Sequence, residues 1–205
     1  MSRRPQDHWG RKAKQEGFAA RSVFKLEDID RRVRLLRPGM RVLDLGAFPG
    51  SWTSYAAQRV GAQGKVLGID LTEFRGVLPP WASIRQGDAL TLDVIEAHGP
   101  RSFEVVLSDM APNTTGHRFT DQARSHDLFM RALTIARGVI VPHGHFVGKI
   151  FQGPEFDEAR KGVHETFEEV RIIKPPASRS ESIETFLIGL RARAPQSERE
   201  VESAD

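Results

Sequence analysis

The chain has 205 residues, 39% apolar and 28% charged, which suits one well-buried soluble domain and is too short for two of ordinary size. It has no cysteine, which excludes a disulfide framework, a thiolate nucleophile and a cysteine-based metal site; no apolar run reaches membrane length, and Met1–Gln15 lacks the apolar centre of a secretory signal, so a cytoplasmic protein is expected. The net charge is only +3, but residues 1–41 carry twelve Lys and Arg against five Asp and Glu, and the remainder eighteen against twenty-two; a basic N-terminal portion on a nearly neutral body suits a polyanionic partner, or is a solvated tail.

Met1–Gln15 is polar, basic and weakly patterned, so partial disorder is expected until a partner binds. From Gly17 onward Phe18, Val23, Phe24, Leu26, Ile29 and Val33 recur at helical intervals between basic residues. They predict one or two amphipathic helices, closed by Pro38-Gly39. Val42, Leu43 and Leu45 read as a buried strand that breaks at Gly46. Ala47-Phe48-Pro49-Gly50 is a turn, and Ser51–Val60 has helical composition with Ser51 or Thr53 near its start.

The spacing Asp44-x-Gly46-x-x-x-Gly50 is not the dinucleotide fingerprint G-x-G-x-x-G. An acid inside the strand suits a cofactor carrying an amino acid and a sulfonium better than one carrying a pyrophosphate. A tight strand–helix connection without a ligand is the bland alternative.

Lys65–Leu71 predicts a second strand with Asp70 at its end, placed to accept from ribose hydroxyls or else to cap the next segment. Phe74–Trp81 reads as a loop and Ser83–Gly87 as a short strand. Asp88 comes next, where a carboxylate can face a base amine, and a helix is expected over Leu90–Ala97. Phe103–Met110 is a fourth strand running into Asp109. A long helix is expected over Thr120–Val139, then a turn at Pro142-His143-Gly144 and a strand over His145–Phe151 that contains Lys149. The seven histidines include no pair at i and i+4, and His143 and His145 read as structural. A helix over Glu155–Glu165, a strand over Phe167–Ile173, a polar loop over Lys174–Ser182 and a strand over Thr185–Leu190 complete the pattern. Strand–helix alternation of this kind predicts a doubly wound α/β domain.

A lysine inside a buried strand is costly unless paired or functional, which singles out Lys149; the alternative is an edge position with its ammonium reaching solvent. Lys25, one basic residue in a basic helix, stands out less.

The segments D-L-G-A-F-P-G-S-W (44–52), S-D-M-A-P-N (108–113), G-K-I-F-Q-G (148–153) and Ser178-Arg179 through Glu184 together resemble the FtsJ (RrmJ) family. Its members are S-adenosylmethionine-dependent ribose 2′-O-methyltransferases of large-subunit ribosomal RNA. The resemblance runs from about Trp9 to Leu190. It implies a Rossmann-like methyltransferase domain over 17–192, with a mostly parallel seven-stranded sheet flanked by helices, between a basic arm (1–16) and a disordered tail (193–205). The family's catalytic tetrad falls on Lys25, Asp109, Lys149 and Glu184, and its cofactor contacts on Gly50, Trp52, Asp70, Asp88 and Asp109. Two positions depart from the usual pattern: Phe48 replaces a small residue, and Ser51 stands where glycine is common.

The resemblance also implies S-adenosyl-L-methionine as cofactor, and no metal requirement is indicated. The expected substrate is a uridine ribose in 23S RNA or a pre-ribosomal particle late in assembly, and the expected enzyme is a monomer. Lys149 is the expected proton acceptor. Because a free lysine amine has a pKa of about 10.4, positioning is expected to matter as much as base strength. A transfer-RNA or cap ribose methyltransferase is the alternative within the class, and a non-catalytic RNA-binding assembly factor is the alternative outside it. The basic arm would grip phosphates, with Trp9 and Phe18 stacking on bases. Deleting residues 1–15 should therefore weaken RNA binding far more than cofactor binding, as measured by parallel titrations; equal loss of both would contradict this role.

Overall fold

The computed structural model describes residues 8–91, 94–178 and 182–194. Residues 1–7 of the expected arm, the expected tail from 195, and Arg179 lie outside these. In chain order the elements are α1 (His8–Gln15), α2 (Val23–Val33), β1 (Arg41–Leu45), α3 (Ser51–Val60), β2 (Lys65–Asp70), β3 (Ala82–Gln86) and α4 (Val94–His98). They continue with β4 (Phe103–Ser108), α5 (Arg118–Val139), β5 (Ile140–Phe151), α6 (Phe156–Thr166), β6 (Phe167–Ile173) and β7 (Glu184–Ala192).

The seven strands form one sheet in the order β3-β2-β1-β4-β5-β7-β6. β1 pairs in parallel with β2 and β4, β2 with β3, and β4 with β5, whereas β7 runs antiparallel between β5 and β6. This is the mostly parallel sheet the sequence predicts. The parallel strands read as apolar runs because helices cover both faces. Along β1, Leu43 and Leu45 pack toward α5 and α6, and Val42 packs toward α2 and α3. The same alternation sends Phe146 and Ile150 of β5 to the α5 side and Val147 to the α2 side. No described helix is long and apolar enough to cross a membrane.

Three expectations are corrected. His8–Gln15 is a helix, not a weakly patterned arm. Ala13 is buried with Val23 and Phe24, Trp9 packs on Phe24 at 5.2 Å between ring centroids, and the Lys12 ammonium lies 4.4 Å from the Phe24 ring centre. A short polar helix is marginal alone, and here tertiary contact holds it. Trp9 and Phe18, expected to stack on bases, are instead partly buried against this small cluster. Finally, β5 begins directly after α5 at Ile140. The expected turn at Pro142-His143-Gly144 is an irregularity within that strand: pairing jumps from Phe103↔Ile140 to Val105↔His145, and His143 takes a φ of 62°. His145 is structural, its Nδ1 accepting from the Arg191 N–H at 3.2 Å.

The turn after β1 needs its glycines. Gly46 has φ 77° and Gly50, the N-cap of α3, has φ 95°. A Cβ on Gly50 would stand 2.6 Å from the Phe74 ring. Gly50→Ala should thus cost about 1–3 kcal/mol through strain and collision, read as a lower urea midpoint with unchanged slope; an unchanged midpoint would refute this account of the turn.

Candidate active site

The carboxyl ends of β1, β2 and β4 open onto a cleft of 370 Å³ whose lining includes Gly46, Asp70, Asp88, Asp109 and Asn113. Open parallel sheets place ligands at these strand ends. Among the described residues three carboxylates and no Lys or Arg line the cleft, so it suits a nucleoside with hydroxyl and amine donors rather than a pyrophosphate. Asp70 is oriented by two backbone donors: Thr72 N–H to Oδ1 at 2.8 Å and Phe48 N–H to Oδ2 at 2.9 Å. Asp88 Oδ1 accepts from Leu90 N–H at 2.8 Å. Phe48 is half exposed and lines the mouth, so this large residue is accommodated where a small one was expected.

Gly50 and Trp52 are not among the cleft-lining residues. The Trp52 side chain is buried against Phe186, 5.7 Å between ring centroids, and its indole N–H donates to Ser22 O at 2.8 Å. Ser51 is also buried, its Oγ accepting from Ala20 N–H at 2.8 Å. Together these two side chains of α3 fasten the start of α2, where Lys25 sits. Ser51 thereby gains a structural use that a glycine lacks.

The four residues predicted as catalytic come together as two ion pairs. Lys149 Nζ donates to Asp109 Oδ1 at 2.8 Å and to Asp109 O at 2.5 Å. Lys25 Nζ lies 2.6 Å from Glu184 Oε1. Side-chain exposures of 6% for Lys149, 18% for Asp109, 11% for Lys25 and 12% for Glu184 put both pairs in low-dielectric surroundings, where an unpaired charge is costly. Sheet register unites them. Lys149 pairs with Phe186, and Glu184 stands two residues along β7 on the same face. Ser108 of β4 pairs with Gly148 of β5, which puts Asp109 beside Lys149. Lys25 closes the group from α2, its ammonium 5.8 Å from the Phe186 ring centre. The lysine inside the strand is therefore paired, and the reading of an edge position reaching solvent is excluded.

Asp44 stands fully buried at the end of β1. Its Oδ2 accepts from Thr53 Oγ at 2.7 Å, and among the described residues its Oδ1 has no hydrogen-bond partner. Burial pushes this carboxyl up to about 7; the Thr53 hydrogen bond opposes the rise, and the like charges of Asp109 and Asp70 add to it. The folded state thus holds the proton more tightly than the unfolded chain, where the reference value is 3.8. The resulting stability is full below that value and is lost as pH rises toward about 7. The thermal midpoint of the wild type should accordingly fall relative to that of Asp44→Asn across this window, by melting at matched ionic strength; parallel curves would contradict the assignment.

A family model for FtsJ-like methyltransferases matches residues 18–192. Among curated proteins, ribosomal RNA large subunit methyltransferase E of Sorangium cellulosum is 53% identical over 190 residues, covering 92% of this chain and 89% of its own. The protein of that name from Bdellovibrio bacteriovorus is 48% identical over 194 residues, covering 93% and 98%. Among solved structures, one described as a ribosomal RNA methyltransferase from Plasmodium falciparum superposes with a TM-score of 0.76 at 21% identity, covering 87% of this chain and all of that one; at that identity the likeness speaks for the fold. With the sheet order, the acid-lined cleft and the family match in agreement, the chain belongs to the FtsJ-like methyltransferase family.

Proposed function

We propose that this protein transfers a methyl group from S-adenosyl-L-methionine to the 2′-hydroxyl of a uridine ribose in large-subunit ribosomal RNA. The observation that carries the reading is the pair of buried lysine–carboxylate contacts beside a cleft rich in carboxylates. The names of relatives at about half identity support the ribosomal substrate, and uridine is the base that the family resemblance implies.

The residues fit the cofactor. Asp70 suits the ribose hydroxyls and Asp88 the base amine. Gly46 lines the cleft directly, where the positive φ of the turn brings its backbone to the ligand side. The first turn of α3, which includes Trp52, presents N–H groups that a helix leaves without an internal partner. Asp44 Oδ1, an orphaned buried acceptor behind the cleft, suits a bound water, and the lack of Lys and Arg among the described lining residues suits a sulfonium. When bound, the cofactor supplies an electrophilic methyl group on positively charged sulfur.

The residues of the two pairs then divide the work. A neutral Lys149 amine can donate its two N–H bonds to Asp109 O and Oδ1, which directs its lone pair elsewhere, toward the hydroxyl proton. Once it holds that proton, the ammonium already has the Asp109 carboxylate as counter-ion, so no charge is left uncompensated in the buried site. Lys25, anchored on Glu184, keeps N–H groups with which to orient the ribose oxygen. Positioning a weak nucleophile in line with the methyl group is a large part of the rate gain.

The test is methyl transfer from labelled S-adenosylmethionine to large-subunit particles from cells lacking this protein, mapped by resistance of a phosphodiester to alkaline hydrolysis. One protected position is expected, with the rate falling about 10²- to 10⁴-fold in Lys149→Ala. Full turnover by that variant would remove Lys149 as proton acceptor, and transfer to transfer RNA but to no ribosomal particle would overturn the substrate.

A further inference from the structure

One arm of the site rests on a third, separate core. Ala13 of α1, Val23 and Phe24 of α2, and Ala177 in the β6–β7 connection are buried together, apart from the two cores that line the sheet faces. Phe24 immediately precedes Lys25, and Ala177 immediately precedes Ser178. This small core thus holds, one residue away on each side, the two chain segments that meet at Glu184.

Ser178 itself is closely held. Its N–H donates to Pro175 O at 2.9 Å, closing a turn. Its hydroxyl donates to Glu184 Oε1 at 3.0 Å, the same oxygen that lies 2.6 Å from Lys25 Nζ. The Glu184 N–H in turn donates to Ser182 Oγ at 3.1 Å. A glutamate side chain has three rotatable bonds, and one ion pair leaves it free to swing with its lysine. A second donor on the same oxygen, carried by a backbone that the third core anchors, removes that freedom.

We infer that Ser178 is a positioning residue that locks the Glu184 carboxylate, and through it the Lys25 ammonium, in the geometry that methyl transfer uses. The inference rests on the proposed function and gives a role to Ser178, which opens the quoted Ser178–Glu184 segment but is not one of the four residues assigned to catalysis. Ser178 acts through Glu184 and not on the substrate, so its loss lowers the rate of the chemical step while leaving cofactor affinity alone.

The experiment compares single-turnover methylation by wild type, Ser178→Ala, Ser178→Thr, Glu184→Gln and the double variant Ser178→Ala/Glu184→Gln, with cofactor affinity and melting temperature measured on each. Ser178→Ala should lower the single-turnover rate constant about 10- to 100-fold, the loss expected for misplacing a reacting group, with unchanged affinity for S-adenosylmethionine and unchanged melting temperature. Ser178→Thr, which keeps the hydroxyl, should restore most of the rate. In the Glu184→Gln background the serine change should cost little more, because the two act as one unit. A wild-type single-turnover rate in Ser178→Ala, in a preparation where Lys149→Ala is slowed as predicted, would overturn the inference and leave the proposed function standing. A loss in Ser178→Ala that simply adds to that of Glu184→Gln would also overturn it. Failure of the wild type to methylate ribosomal particles would bring down the proposed function and this inference together.

Discussion

A lysine near the middle of a seven-stranded sheet must have a counter-charge, and here that requirement organises the active end of the molecule. Lys149 lies on β5, between β4 and β7, and its ammonium reaches both the carboxylate and the carbonyl of Asp109. The contact requires β4 and β5 to be parallel and in one register, since Ser108 must pair with Gly148 for Asp109 to arrive beside Lys149. The antiparallel return of β7 then delivers Glu184 to the same face, and α2 brings Lys25 over it. Removing one partner from either pair would leave a nearly buried charge unmatched, which is far more costly than losing an exposed ion pair.

The cleft beside these pairs has the opposite character. Its charged lining is carboxylate, with Asp44 buried behind it and its ionisation suppressed by that burial. The two regions are mechanically linked through α3: the helix that begins at the glycine turn also holds the start of α2 through Ser51 and Trp52. The glycine turn and the start of α2 are thus joined by direct hydrogen bonds, three residues short of Lys25.

Much of this was legible in the sequence, for identifiable reasons. Strands buried on both faces must be apolar throughout, so β1, β2, β4 and most of β5 stood out, and the acids at their ends marked the cleft. Lys149 stood out because a buried strand tolerates so few charges. Other features depended on contacts between distant segments. The run from His8 to Gln15 offers only Trp9 and Ala13, one helical turn apart, as an apolar stripe, and that weak spacing gains its meaning from Phe24 and Ala177 packing against it. The side chain of Trp52 could be assigned to core or cleft only once Ser22 and Phe186 lay beside it. The insertion of β7 between β5 and β6, and with it the meeting of Glu184 with Lys25, is a matter of sheet order on which strand periodicity is silent.

The proposed function divides the labour: carboxylates of the cleft would bind the cofactor, and the two ion pairs would carry out the transfer. Calorimetric titration of S-adenosylmethionine into Asp70→Asn and Lys149→Met, side by side with wild type, separates the two most directly. Lys149→Met should bind the cofactor within a few-fold of wild type, and Asp70→Asn should lose about tenfold or more, as expected when a hydrogen bond to a charged group is removed. Loss of binding in Lys149→Met with wild-type affinity in Asp70→Asn would contradict that division.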